Sequence, residues 1–388
     1  MYIFRHDSDD EDNTEDASVS KSKLKKKFER IAGTPKWADP KIKKSEDSDE
    51  EISRSVGHLT QSTSFLLPKQ TINVKKLRDV NRATGNEGEI TSVIFHPKST
   101  VGIVAGMKGI VSMFSIDSAE NKKIHNMKFE KFKIFCCKLN NDGDELIIGG
   151  DVSHYHTYDL LTGNKQRLRV PKTMTDLKLF QFSPCGKYIA AVGQFGEVHI
   201  INSITKELIC TMKQEYQCTS ISFSADSTKL LCHSDDTEIS IFDLRMQRIV
   251  NKFEDDGCVN GSYVSVSPNG KLIAAGSRQG VVNIYNYDDV YEKKRPKPQK
   301  TIFNLTTEIT DIQFNPSSEM LAICSKEMKN AVKFVHFPSA TVFSNFPSNQ
   351  EQLGKPTVMA FSPAGGFFAI GNLQSKVPLF RIRHYNNY

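Results

Sequence analysis

The chain contains a single tryptophan, Trp37, and no run that approaches 18 apolar residues. A membrane-spanning helix needs about 20 such residues, so insertion in a bilayer is not expected. A secretory leader places a basic segment ahead of an apolar one, and the first twenty residues are acidic instead, so secretion is not expected either. Eight cysteines (136, 137, 185, 210, 218, 232, 258 and 324) occur without a CxxC pair. They read as small buried apolar residues of a reducing compartment and not as a disulfide framework. No GxxxxGK(S/T) phosphate loop and no GxSxG nucleophile elbow is present, and the histidines lack zinc-ligand spacing. His154 and His156 would share one face of a strand, but no Cys or His pair completes a site. Hydrogen bonding among them, Tyr155 and Tyr158 is the simpler account. No catalytic residue, metal or cofactor is predicted.

What the chain has in abundance is a repeat. From Leu177 to Lys213 it reads LKLFQF, SPCGK, YIAAVG, QFGE, VHIIN, SITKE, LICTMK. Four short apolar or alternating runs are separated by Gly, Pro, Asn, Ser or charge, which predicts four antiparallel strands joined by tight turns. The pentapeptide Phe182-Ser183-Pro184-Cys185-Gly186 has counterparts beginning at Phe95, Leu139, Phe223, Val266, Phe314 and Phe361. Their first residues step by 44, 43, 41, 43, 48 and 47. A period of about 40–50 residues with four strands per period is the signature of a β-propeller blade, and seven copies predict a seven-bladed, all-β ring. Thr71–Leu77 also alternates, whereas the last repeat holds only three strands. The expectation is that strand 71–77 completes the last blade beside Val377–Ile382, removing an open edge.

Third-strand endings at Phe242-Asp243 and Tyr158-Asp159, with Phe114-Ser115, Asn202-Ser203, Tyr285-Asn286 and His336-Phe337 as weaker counterparts, resemble the Trp-Asp pair of the WD-repeat family. The resemblance covers residues 70 to 388 and implies a WD40-type propeller. No Gly-His pair is found, so the family's Asp-His-Ser-Trp network is not carried over.

Residues 1–62 are a different material. Met1–Ser20 carries a net charge of −6, Lys21–Lys44 a net +8, and Ser45–Glu51 (SEDSDEE) is acidic again. With few large apolar residues this stretch is expected to be a disordered, charge-segregated arm, and residues 63–388 the propeller. Ile3-Phe4, ahead of acids, and Thr34-Pro35-Trp37 read as short protein-docking segments, since Trp is favoured as an interface anchor. Lys25, Lys26 and Lys27, and the insert containing Lys293, Lys294, Arg295 and Lys297, are expected to meet RNA phosphates or an acidic partner. The insert, Asp288–Lys300, is expected to be an exposed loop in which Pro296 and Pro298 block strand pairing. Ser45 and Ser48 precede acids and read as phosphorylation sites.

Three segments carry a narrower resemblance: FERIAGTPKWA at 28–38, INVKKLRDVNRATGNEGEITSVIFHP at 72–97 and GNLQSKVPLFRIRHYNNY at 371–388. They resemble WD-repeat components of the small-subunit processome, the U3 ribonucleoprotein. This implies a non-catalytic scaffold of the nucleus and nucleolus, acting in pre-18S ribosomal RNA processing. Its implied partners are other processome proteins, WD-repeat subunits among them, together with U3 snoRNA and pre-rRNA. Some members recruit the exosome's RNA helicase through Leu-Phe-x-x-x-Asp. Ile3-Phe4 matches the first pair, but the sixth position is Ser8, between Asp7 and Asp9. The residues alone leave open a WD-repeat adaptor outside the ribosome pathway, such as a substrate receptor or histone-tail binder.

Overall fold

The repeating pentapeptide is a turn whose every position has a job. Its second residue is a buried serine in four copies, and the Oγ of Ser183, Ser224, Ser267 and Ser362 accepts a hydrogen bond from the backbone N–H five residues on, at 2.9–3.2 Å. Its fifth residue lies in the left-handed region in six copies: Gly143, Gly186, Gly270, Gly365, Ser227 and Ser318. Glycine adopts that conformation at no steric cost. The two serines do not, and each hydroxyl instead accepts a hydrogen bond from the neighbouring blade's turn, from Cys185 N at 2.9 Å and Asn269 N at 3.1 Å. The first copy, which begins at Phe95, uses His96, whose Nδ1 accepts from Lys98 N and Ser99 N.

The computed structural model describes residues 67–116, 120–348, 351–385 and 388, together with Lys21, Lys23, Leu24, Lys26 and Lys27. Within residues 66–388 the strands form seven four-stranded antiparallel sheets. Six are consecutive in sequence, and blades 2 to 6 begin at Ile134, Phe180, Cys218, Gly261 and Asp311. Blade 1 is Ile90–Phe95, Val101–Gly106, Ile110–Ser115 and Lys123–Lys128. Blade 7 is Pro356–Phe361, Phe367–Asn372 and Leu379–Ile382, with Val74–Lys76 as its fourth strand. The N-terminal strand is therefore shorter than 71–77, and its register is Val74↔Ile382, Lys75↔Arg381 and Lys76↔Phe380. The first strands of consecutive blades touch one another all the way round, including Pro356–Phe361 against Ile90–Phe95, so the ring closes.

Seven hydrophobic clusters fill the seven gaps between neighbouring blades. Second strands supply small residues there: Ala105, Ala190, Ala191, Ala274, Ala275, Ala322 and Ala369 are all fully buried. The gap between blades 6 and 7 is the most aromatic, with Phe334 stacked on Phe346 at 4.2 Å and edge-on to Phe368 at 4.9 Å. Strand pairing also corrects the third-strand endings. Tyr188 pairs with Asn202 and Met320 with His336, as Lys229 does with Asp243. The pairs equivalent to Phe242-Asp243 are thus Ile201-Asn202 and Val335-His336, one residue earlier than Asn202-Ser203 and His336-Phe337. Ile and Val at those places lack the aromatic ring that makes the position legible.

The segment that leads into blade 1 is a clasp. Glu87, fully buried, accepts hydrogen bonds from Asn81 Nδ2, Thr84 Oγ1, Ser112 Oγ of blade 1 and Ser375 Oγ of blade 7. Asn81 meanwhile donates to Ser375 O at 2.7 Å and accepts from Val377 N at 3.1 Å. At the other end of the chain, the Tyr388 hydroxyl donates to His96 O and Val101 O, and the Tyr385 hydroxyl to Glu319 Oε2 in blade 6. Glu87→Ala leaves four donors without their acceptor, and a buried unsatisfied donor costs about 1–3 kcal/mol. The expected loss is about 3 kcal/mol or more, read from the urea midpoint; an unchanged midpoint would show that the clasp does not hold the ring.

Candidate interaction surface

Ile3, Phe4, Lys25, Thr34, Pro35, Trp37, Ser45 and Ser48 lie outside the described residues, as does the rest of the expected arm apart from five positions. Lys26 and Lys27 are helical and exposed.

The insert after blade 5's third strand is more ordered than a loop. A short helix, α1 (Tyr287–Glu292), buries Val290 completely. The segment folds back over the outer strand of blade 4, Arg248–Glu254. Asn251 Nδ2 donates to Val290 O at 2.7 Å, Glu254 N donates to Lys294 O at 2.9 Å, and Lys229 Nζ sits 3.5 Å from the Tyr291 ring centroid. The two prolines do not keep Lys300 out of a strand, because pairing resumes at Lys300–Ile302. Of the four predicted contact residues, two already have acidic partners. Arg295 forms a two-pronged pair with Glu254 at 2.7 and 3.1 Å, and Lys293 pairs with Asp289 at 2.9 Å. Lys294 and Lys297 are exposed without an ion pair among the described residues.

A stronger basic surface lies on the outer edges of blades 1 and 2, which sequence reading passed over. Lys123–Lys128 and Lys165–Arg169 are the outermost strands there, and the turns beside them add more cations. Lys122, Lys123, Lys128, Lys131, Lys133, Lys165, Arg167, Arg169 and Lys172 are all exposed, and none makes an ion pair among the described residues. Within 122–133 and 165–172 the only acid is Glu130. The two edges are tied together by rings: His125 stacks on Tyr158 at 6.1 Å, and Lys165 lies 5.4 Å from the Phe129 centroid. Blade 4 shows the contrast, for Lys252 on its outer strand is matched by Glu215 at 2.6 Å and Glu238 at 3.8 Å. The readable signal was the pair of strings KKIHNMK and KQRLR, in which cations recur with no acid between them.

His154 and His156 lie on blade 2 with ring centroids 5.5 Å apart. His154 Nδ1 is 3.1 Å from Arg167, and both rings pack on Phe132. Burial, followed by the neighbouring cationic or imidazole groups, holds both below the usual histidine value. The central channel is a cavity of about 360 Å³ that includes Lys138, Lys178, Tyr263 and Asp311. Asp311 uses its oxygens as a tie, accepting from Met359 N at 2.7 Å in blade 7 and from Gln313 Nε2 at 3.0 Å. Burial raises its carboxyl above the usual range.

Comparison with known proteins places this ring. The WD domain, G-beta repeat family matches residues 252–286, which run from the outer strand of blade 4 through the third strand of blade 5. A fruit-fly protein, the U3 small nucleolar RNA-associated protein 18 homolog of Drosophila melanogaster, is 42% identical over 373 residues, covering 95% of this chain and 74% of its own length. The chain belongs to the U3 small nucleolar RNA-associated protein 18 family. The human homolog is 34% identical over 391 residues, covering 97% of this chain and 70% of its own length. The Saccharomyces cerevisiae family member is 26% identical over 439 residues, covering 94% and 73%. In this family member, the blade 1–2 edge carries nine exposed cations that make no ion pair among the described residues.

Reversing Lys123, Lys128, Lys165, Arg167 and Arg169 to Glu tests that surface. Each phosphate contact removed should flatten the log K against log salt slope by about 0.7 on single-stranded RNA. Weaker RNA binding with an unchanged melting midpoint is the expected result. Unaltered affinity and slope would remove this edge as an RNA contact.

Proposed function

We propose that this chain is a non-catalytic WD-repeat scaffold of the small-subunit processome, the U3 ribonucleoprotein, acting in nucleolar pre-18S rRNA processing and small-subunit biogenesis. The observation that carries the reading is its relatedness, over nearly the whole chain, to proteins named for association with U3 small nucleolar RNA. The physical picture supports it. A closed ring with side-chain ties across its blades offers rigid rims for neighbouring subunits, and a basic edge without ion pairs among the described residues suits phosphate. Counterion release makes such a surface a source of affinity without sequence preference.

On this reading the protein resides in the nucleus and nucleolus. Its partners are other processome proteins, WD-repeat subunits included, with U3 snoRNA and pre-rRNA. Residues 1–62 act as an arm whose docking segments are Ile3-Phe4 and Thr34-Pro35-Trp37, whose Lys25–Lys27 cluster adds phosphate contacts, and whose Ser45 and Ser48 take phosphate. Lys294 and Lys297 extend the contacts of the insert. Recruitment of the exosome's RNA helicase through Ile3-Phe4 is the finest part of the proposal, with Asp7 or Asp9 supplying the acid that Ser8 lacks.

Affinity purification of tagged full-length chain from nuclear extract, with protein and RNA identification, is the test, repeated with residues 1–60 removed. Full-length chain should bring down U3 snoRNA and processome proteins. The truncated chain should keep the partners of the ring and lose those of the arm. Recovery of full-length chain free of U3 snoRNA and ribosome precursors would favour an adaptor outside this pathway.

A further inference from the structure

Three groups from distant parts of the sequence converge beside the blade 4–5 interface. His233 ends the apolar run of blade 4's second strand, Lys229–Ser234, and is completely buried. Asp255 and Cys258 lie in the connection between Arg248–Glu254 and the first strand of blade 5, Gly261–Val266, and are also buried. An imidazole nitrogen, a carboxylate oxygen and the Cys258 Sγ all lie within 4.8 Å of one another. Gly261 makes room for the ring, because a Cβ there would sit 1.9 Å from His233 Cε1 and Nδ1.

The hydrogen bonds around the cluster are arranged as they are behind metal ligands. His233 Nδ1 is 3.0 Å from Ser234 O. A carbonyl can only accept, so Nδ1 carries a proton, and in the neutral ring Nε2 then keeps its lone pair. That Nε2 is buried and has no hydrogen-bond partner among the described residues. A metal-bound histidine characteristically donates its other N–H to a carbonyl or carboxylate. Asp255 is held in the same way, its Oδ1 accepting from the Tyr285 hydroxyl at 2.6 Å and from Asn283 Nδ2 at 2.9 Å. Asp255 and Cys258 also line a cavity of about 410 Å³, together with Thr237, Glu254 and Lys297.

We propose that His233, Asp255 and Cys258 form a three-ligand site for a divalent cation of the zinc class, its fourth position filled by water from the cavity. One nitrogen, one sulfur and one carboxylate oxygen are the donors zinc takes in tetrahedral sites, whereas calcium and magnesium require oxygen shells. Burial lowers the His233 pKa and so favours the uncharged ring, the form that ligates a metal. Burial, with the Asp255 carboxylate beside it, pushes the Cys258 thiol up to about 12, so metal entry must displace the thiol proton to solvent. Bound metal would clamp the second strand of blade 4 to the chain entering blade 5.

The test uses full-length chain stripped with EDTA and titrated with Co²⁺. Visible ligand-field bands and a thiolate-to-cobalt band should saturate at about one ion per chain, a site needing all three ligands. Cys258→Ser should abolish the thiolate band, and Tyr285→Phe should weaken Co²⁺ binding roughly 10–100-fold. Saturating Zn²⁺ should also raise the melting midpoint of the unsubstituted chain, a readout that stands even if a variant fails to fold. No cobalt spectrum, a thiolate band that survives in Cys258→Ser, or a melting midpoint indifferent to Zn²⁺ would each overturn the proposal.

Discussion

Closure of the ring is the constraint on which the rest of the structure depends. Each blade buries its two faces only against its neighbours, so seven sheets form one core only if the last meets the first. Here the meeting is made from both ends of the chain. Val74–Lys76 supplies the outer strand of the blade whose other three strands come last, and Val80 joins the cluster between blades 7 and 1. The Glu87–Asn81 clasp then ties the incoming segment to Ser112 on one side and to Ser375 and Val377 on the other. Pairing with Val74–Lys76 also covers the row of backbone donors and acceptors along Leu379–Ile382 and leaves only a three-residue strand as the edge.

A closed ring of this kind separates stability from recognition. The blades are held by apolar gaps and by repeated turn hydrogen bonds, so their rims are free to vary in charge. The insert after blade 5 shows how far that variation goes, since it carries its own helix and partly neutralises its own cations through Glu254 and Asp289. The blade 1–2 edge does the opposite, its exposed cations making no ion pair among the described residues. Such a division suits a part whose role is to position other molecules, and the central channel is bound by ties such as Asp311 to Met359 N.

Much of the fold was legible in the sequence because the turn pentapeptide recurs at nearly constant spacing. The failures are local and have physical reasons. Blades 3 and 6 place Ile201 and Val335 where others place an aromatic residue, so only strand register locates their endings. Helix α1 escaped notice because six residues are too short to show a 3.6-residue period. The basic edge was hidden because its cations sit on strands of two different repeats, adjacent only once the blades stack. The His233, Asp255 and Cys258 cluster was hidden for the same reason: three ligands spread over two blades leave no spacing motif.

Hydrogen exchange on the full-length chain, followed by mass spectrometry, tests the closed ring most directly. The hydrogen bonds Leu77 N to Leu379 O, Val80 N to Val377 O and Arg383 N to Asn73 O span the closure. Peptides containing Leu77, Val80 and Arg383 should lose protection together, in one cooperative step shared with the inner strands of the blades. If Leu77 and Val80 exchange freely while the blades stay protected, the two ends of the chain do not close the ring and the account fails.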